Sequence, residues 1–159
     1  MSKSFRKGAA GALLDEYERA IAALQQRVVS IPDADLTRIL DPGTDDENCK
    51  SLQSILTHVV YAGFGYATAI YNSRGHNMER PVRSYHLTVK EYIRDLSDVF
   101  MFTEKVFQDL RDDELLQYEE SRKIKTSWGQ SYDIEQLTEH AIVHVLRHRR
   151  QFERLYILH

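Results

Sequence analysis

DIEQLTEHAIVHVLRHRRQFERLYIL, residues 133–158, is the stretch on which the fold turns. Ile134, Leu137, Ala141, Val145, Phe152 and Leu155 recur at the spacing of one helical face. Asp133 with Gln136 three residues later has the pattern of an N-terminal cap. A long helix with one apolar face has to bury that face against partners, and three further stretches of the same kind supply them. Residues 9–29 carry Leu13, Leu14, Tyr17, Ala20, Ile21, Leu24 and Val28 in helical register, and Pro32 stops them. Residues 51–72 start at Ser51 as N-cap and run to the Arg74-Gly75 break, with Leu52, Ile55, Val59, Ala62, Tyr66 and Ala69 as the stripe. Residues 88–110 open with Thr88 and Glu91 at capping-box spacing, and Val89, Tyr92, Leu96, Val99, Phe100, Val106 and Phe107 follow on one face.

The expectation is an all-α four-helix bundle spanning residues 1–159 as one domain. Its natural topology is up-and-down, and its long links also permit a crossover connection. The segment 111–132 is long for an empty link and is expected to hold a short helical or extended piece turned at Trp128-Gly129.

The chemistry lies in the histidines. His140, His144 and His148 follow one another at four-residue spacing on the last helix. Residues four apart lie one turn on with an offset of about 40°, so two such imidazoles can close on one metal ion. His144 and His148 border the apolar stripe. His140 stands roughly 80° from His148 and is expected to be a pocket residue or an outer partner. On the second helix, His58 interrupts the stripe and can face the later pair across a bundle core. His58, His144 and His148 together would make a three-histidine site with an open position for a divalent ion, zinc or nickel, the pattern of a catalytic site. Gln151, three residues after His148, shares its face and can orient a ligand. Packing inside the core is the competing role for each histidine taken alone. His76, His86 and His159 receive no role.

Composition narrows the alternatives. The chain has 159 residues, a net charge of −3 with mixed signs throughout, and one cysteine, Cys49. No global basic field points to nucleic acid, and no apolar run approaches the ~18 residues of a membrane span. A lone cysteine fits a reducing, cytoplasmic setting, and Asp45, Asp46 and Glu47 beside it disfavour a thiolate. Arg147, Arg149, Arg150 and Arg154 are interleaved with acidic residues and are read as a solvated or subunit-facing surface. Tyr61 and Tyr66 are read chiefly as core, with pocket lining the alternative. Tyr17, Tyr71, Phe102 and Tyr156 put aromatic rings on more than one face, which favours a homodimer packed helix to helix.

SLQSILTHVVYA on the second helix and WGQSYDIEQLTEHAIVHVLRHRRQ around the fourth resemble the DinB-like superfamily, which includes the YfiT-type proteins. The resemblance spans roughly residues 13–156. It implies a four-helix bundle with one inward histidine on the second helix and an H-x₃-H pair late in the chain. Carried onto this sequence, it implies His58, His144 and His148 as metal ligands, with Gln151 matching the glutamine of the motif. Arg150 stands where the family pattern has glycine. The activity implied is metal-dependent transfer of a low-molecular-weight thiol to a small-molecule substrate. Metal-dependent hydrolysis, or a non-catalytic metal-binding stress or interaction protein, are the alternatives.

Overall fold

The computed structural model describes residues 4–157. Four helices carry the molecule: α1 (Gly8–Val28), α2 (Leu52–Ser73), α3 (Val89–Phe107) and α4 (Ile134–Phe152). A π-helical turn, Glu153–Ile157, extends α4. The only sheet among the described residues is a two-stranded hairpin, β1 (Ile124–Lys125) with β2 (Ser131–Tyr132). It turns at Trp128-Gly129, where Gly129 has a φ of 91° that suits glycine. The segment 111–132 takes both of the expected forms, since short 3-10 turns at Asp112–Glu114 and Glu120–Arg122 precede the hairpin.

Local chemistry sets the helix ends. Ser51 accepts from the backbone N–H of Ser54, and Asp133 and Gln136 cap each other reciprocally at the start of α4. Thr88 accepts from the Glu91 N–H, but the Glu91 carboxylate takes the Thr88 hydroxyl, so only half of the expected capping box forms. The N-terminus of α1 is capped from far along the chain: Asp112 accepts from the Ala9 and Ala10 N–H groups, each at 2.9 Å. Two helices end earlier than their apolar periodicity suggests. α3 stops at Phe107 and closes through a tight turn that still buries Leu110. α4 stops at Phe152 and widens into the π turn, pinned by Arg27 to Glu153 at 2.8 Å and by the Tyr156 hydroxyl to Asp35 at 2.5 Å. Leu155, on that turn, is only half-buried. Leu158 and His159 lie outside the described residues.

Helix α1 packs on α3 and α4, and α2 packs on the same two, so α1 faces α2 across the diagonal. Contacts along the helices give their directions. Gln25, late in α1, donates to the Ile93 carbonyl early in α3 at 2.9 Å, while Arg6 reaches Glu104 near the end of α3 at 2.6 Å. Those two run antiparallel. Thr57 and Tyr92, both near the starts of α2 and α3, share a hydrogen bond of 2.6 Å, and Arg74 after α2 donates to the Asp109 carbonyl after α3 at 3.0 Å. Those two run parallel. The chain thus goes up, down, down and up, and of the two topologies the sequence permits, the crossover form is the one adopted.

Parallel α2 and α3 require the connection to travel the whole bundle. Helix α2 has 22 residues, roughly 33 Å, which about ten extended residues can span. The segment 74–88 does so as a strap lying along α2. Asn72 bonds Met78, Arg80 donates to the Tyr61 carbonyl, the Thr57 hydroxyl lies 3.4 Å from that of Ser84, and Gln53 donates to that of His86. The α2 numbers fall as the strap numbers rise.

One apolar core runs through all four helices, with Leu24, Leu52, Ile55, Leu56, Tyr92, Leu96, Leu137 and Phe152 at its centre. Gly63 lets α2 lie close to its neighbours, since a Cβ there would be 2.5 Å from Val99 Cγ1. The aromatic residues that suggested a dimer face are engaged within the chain. Tyr17 is core, Tyr71 stacks on His76, Phe102 packs on Phe64, and Tyr156 bonds Asp35. Among the described residues no helix is long and apolar enough to cross a membrane.

The Tyr92 hydroxyl ties strap, α2 and α3 together: it accepts from the His86 N–H at 3.1 Å, meets Thr57, and donates to the Gln53 carbonyl at 3.3 Å. Tyr92→Phe leaves those groups short of a partner and is expected to lower unfolding free energy by ~1–3 kcal/mol in urea denaturation. A loss near zero would mean that the strap is held elsewhere.

Candidate metal centre

Because α2 runs antiparallel to α4, His58 comes level with His144 and His148, while Tyr66 two turns later comes level with His140. His58 Nε2 and His144 Nε2 are 3.0 Å apart. One ligand-capable nitrogen from each of His58, His144 and His148 lies within 4.8 Å of the other two. His148 donates from Nδ1 to Gln151 Oε1 at 2.8 Å, which leaves its Nε2 with a lone pair and fixes the ring.

The donor set fits a divalent ion better than it fits itself. Two neutral imidazole nitrogens in contact need one N–H between them, and His58 Nδ1 is buried with no hydrogen-bond partner. Whichever tautomer His58 takes, one polar nitrogen goes unmatched. A cation accepts the lone pairs of all three rings at once. Tetrahedral zinc–imidazole geometry separates its nitrogens by ~3.3 Å, close to the spacing of the His58–His144 pair.

Burial sets the charge state. Desolvation pushes His144 down to about 3 from an ordinary 6.5, assisted by His148 and His58. Desolvation, followed by His148 and Arg83, lowers His58 to about 4. His148 is also lowered, by burial against the opposing pull of its Gln151 bond. All three are neutral at pH 7, the form in which imidazole can donate to a metal.

All three histidines line one cavity of about 510 Å³, shared with Asp46, Cys49, Arg147, Arg150, Gln151 and Arg154. A second cavity of about 400 Å³ meets the first at His58 and is walled by Tyr61, Tyr66, Trp128 and His140. There His140 stacks on Trp128 with centroids 5.3 Å apart, so it stands apart from the three-histidine cluster. Trp128 packs on the flank of the α2–α4 seam, where it also meets Tyr66 edge-on. Tyr61 and Tyr66, read chiefly as core, are half-buried cavity walls. His86 bonds Asp95 and plays no part at either cavity.

The arginines at the end of α4 and on the π turn are mostly exposed, as their interleaving with acids suggested, but that reading left out the cavity they border. Arg149 is half-buried with Glu153 3.7 Å away, whereas Arg147, Arg150 and Arg154 are exposed and line the rim of the histidine cavity. Their spacing of three and then four from 147 held that signal, since it continues the His144 face down the helix. Asp46 and Cys49 carried no comparable signal, because their place depends on how the 29–51 link folds back. Burial raises the Cys49 thiol, in keeping with an unreactive side chain.

The buried histidines give a pH dependence of known sign. Their folded-state values lie below 6.5, so protons favour the unfolded chain. Their contribution is whole above about pH 6.5 and is lost as pH falls through about 4. The melting temperature of metal-free protein is expected to drop over that window, and to drop less in His58→Gln/His144→Gln. Identical declines in both proteins would acquit the histidines.

Among proteins of curated function, none matches the chain. A sequence profile of the DinB superfamily matches residues 16–152, a span that includes His58, His144, His148 and Gln151. That match covers most of the chain and agrees with the helical architecture and the histidine arrangement, and the protein belongs to the DinB superfamily.

Proposed function

We propose that this protein is a metal-dependent enzyme in which His58, His144 and His148 hold one divalent ion, zinc or nickel. The observation that carries the reading is the convergence of three neutral imidazoles from two antiparallel helices onto one wall of an open cavity. A site built only for stability would supply a fourth protein ligand. Among the described residues no carboxylate or thiolate joins the cluster. A divalent ion bound there supplies Lewis acidity toward a sulfur or oxygen atom of a small molecule.

The chain's own residues do the rest. Gln151 holds the His148 ring with its Nε2 turned to the cluster. Burial keeps His58 and His144 unprotonated. The cavity admits a small molecule to the same wall that the three rings form. We assign the reaction as thiol-dependent S-transfer onto an electrophilic small molecule. The thiol preference rests on the family resemblance, and hydrolysis by water is the outcome that the same assay would detect in its place.

Protein purified without an affinity tag is expected to carry near-stoichiometric zinc or nickel by elemental analysis. His148→Ala should lose it, and Gln151→Ala should weaken it about 10- to 100-fold. Full metal content in His148→Ala would sink the ligand assignment. With metal loaded, a panel of glutathione, bacillithiol, mycothiol and coenzyme A with a model electrophile should give thiol-dependent turnover that His58→Ala abolishes. Turnover that needs no thiol would identify a hydrolase, and no turnover with metal retained would identify a non-catalytic binder.

A further inference from the structure

Nine of the fourteen arginines have a carboxylate partner among the described residues. Arg6, Arg19, Arg27, Arg38, Arg74, Arg94, Arg111, Arg122 and Arg149 each lie within 4.0 Å of an Asp or Glu oxygen. Five do not: Arg80, Arg83, Arg147, Arg150 and Arg154 form no ion pair among the described residues. All five line the two cavities that meet at His58.

That distribution opposes the charge of the whole, which is −3. The one carboxylate on either cavity wall is Asp46, and it is already engaged by the Asn48 N–H at 2.9 Å. Arg80 donates to the Tyr61 carbonyl and lies over the Tyr61 ring, and Arg83 bonds the Asn48 side-chain oxygen, so those two are partly occupied. The side chains of Arg147, Arg150 and Arg154 have no hydrogen-bond partner among the described residues. They follow one another at three- and four-residue spacing beyond His144, so their forks are presented along one wall. A divalent ion beside them would add positive charge to a cavity whose single carboxylate, Asp46, already faces three guanidinium groups.

We infer that the arginine-lined cavity binds an anionic small molecule, with Arg147, Arg150 and Arg154 holding its carboxylate or phosphate group while its reacting atom reaches the three histidines. The inference deepens the metal-enzyme reading by naming the charge class of its substrate. Guanidinium forks match planar carboxylates and phosphates through paired N–H donors, and such charge-assisted bonds are the strong ones. The Arg150 side chain, standing where the family pattern has glycine, makes this subsite a property of this chain.

The test is calorimetric titration of the metal-loaded full-length chain with succinate, inorganic phosphate and the neutral diamide of succinate. Binding of succinate, phosphate or both is expected, with affinity falling as salt rises, and none of the diamide; the better probe identifies the group recognised. Each of Arg147→Gln, Arg150→Gln and Arg154→Gln should cost about tenfold in affinity, and the triple variant should lose binding while keeping its metal. Arg122→Gln, altering a paired arginine remote from the cavity, should change nothing. Undiminished anion affinity in the triple variant, or no anion binding by metal-loaded protein, overturns the inference and leaves those side chains as complements to the α4 dipole. Anion binding that needs the arginines in a protein unable to hold metal keeps this subsite and removes the metal reading, so the two failures are distinguishable.

Discussion

Three imidazoles are packed against one another where two antiparallel helices of an otherwise apolar bundle meet. Neutral histidine is costly to bury without partners, and here the partners are chiefly other histidines. The surrounding core has to hold α2 and α4 in register to within a fraction of a turn for that contact to exist. Core side chains on both helices supply that register, with Ile55 and Val59 on α2 and Ala141 and Val145 on α4 flanking the histidines in sequence. The site is thus built on rigid elements, which keeps it precise without help from loops.

The order of helices explains why the connections are long. With α1 across the diagonal from α2, and α3 parallel to α2, no hairpin turn can join the early elements. The chain spends its links crossing the bundle, and those links furnish the walls of the site. The 29–51 connection carries Asp46 and Cys49 to the histidine cavity, the strap brings Arg80 and Arg83 to the other side of His58, and the 124–132 hairpin lays Trp128 over His140. The four helices alone would present the histidines on an open seam. The links turn that seam into two adjoining chambers with different linings, one rich in guanidinium groups and the other in aromatic rings.

Charge is arranged with the same division of labour. Away from the site, arginines are matched with acids, as where Arg6 gathers Asp15, Glu18 and Glu104 at the foot of α1 and α3. Exposed pairs of this sort contribute little stability each. Their value lies in leaving no large field on the surface, so that the unmatched guanidinium groups around His58 stand out as a local positive region on a mildly acidic molecule.

Periodicity was enough to determine four helices, because an apolar side chain every three or four residues has only one regular solution, and caps such as Ser51 and Asp133 are local chemistry. The pairing of His144 with His148 was determined in the same way, since four-residue spacing is a property of the helix itself. Helix order and direction were not legible, because a link of fifteen residues or more fits either a neighbour or a diagonal partner; packing decided between them. The level at which His58 meets α4 followed from that packing. So did the meaning of the α4 arginines: one helical face reads alike in sequence whether it borders water or a cavity, and only the folded 29–51 link made it a wall.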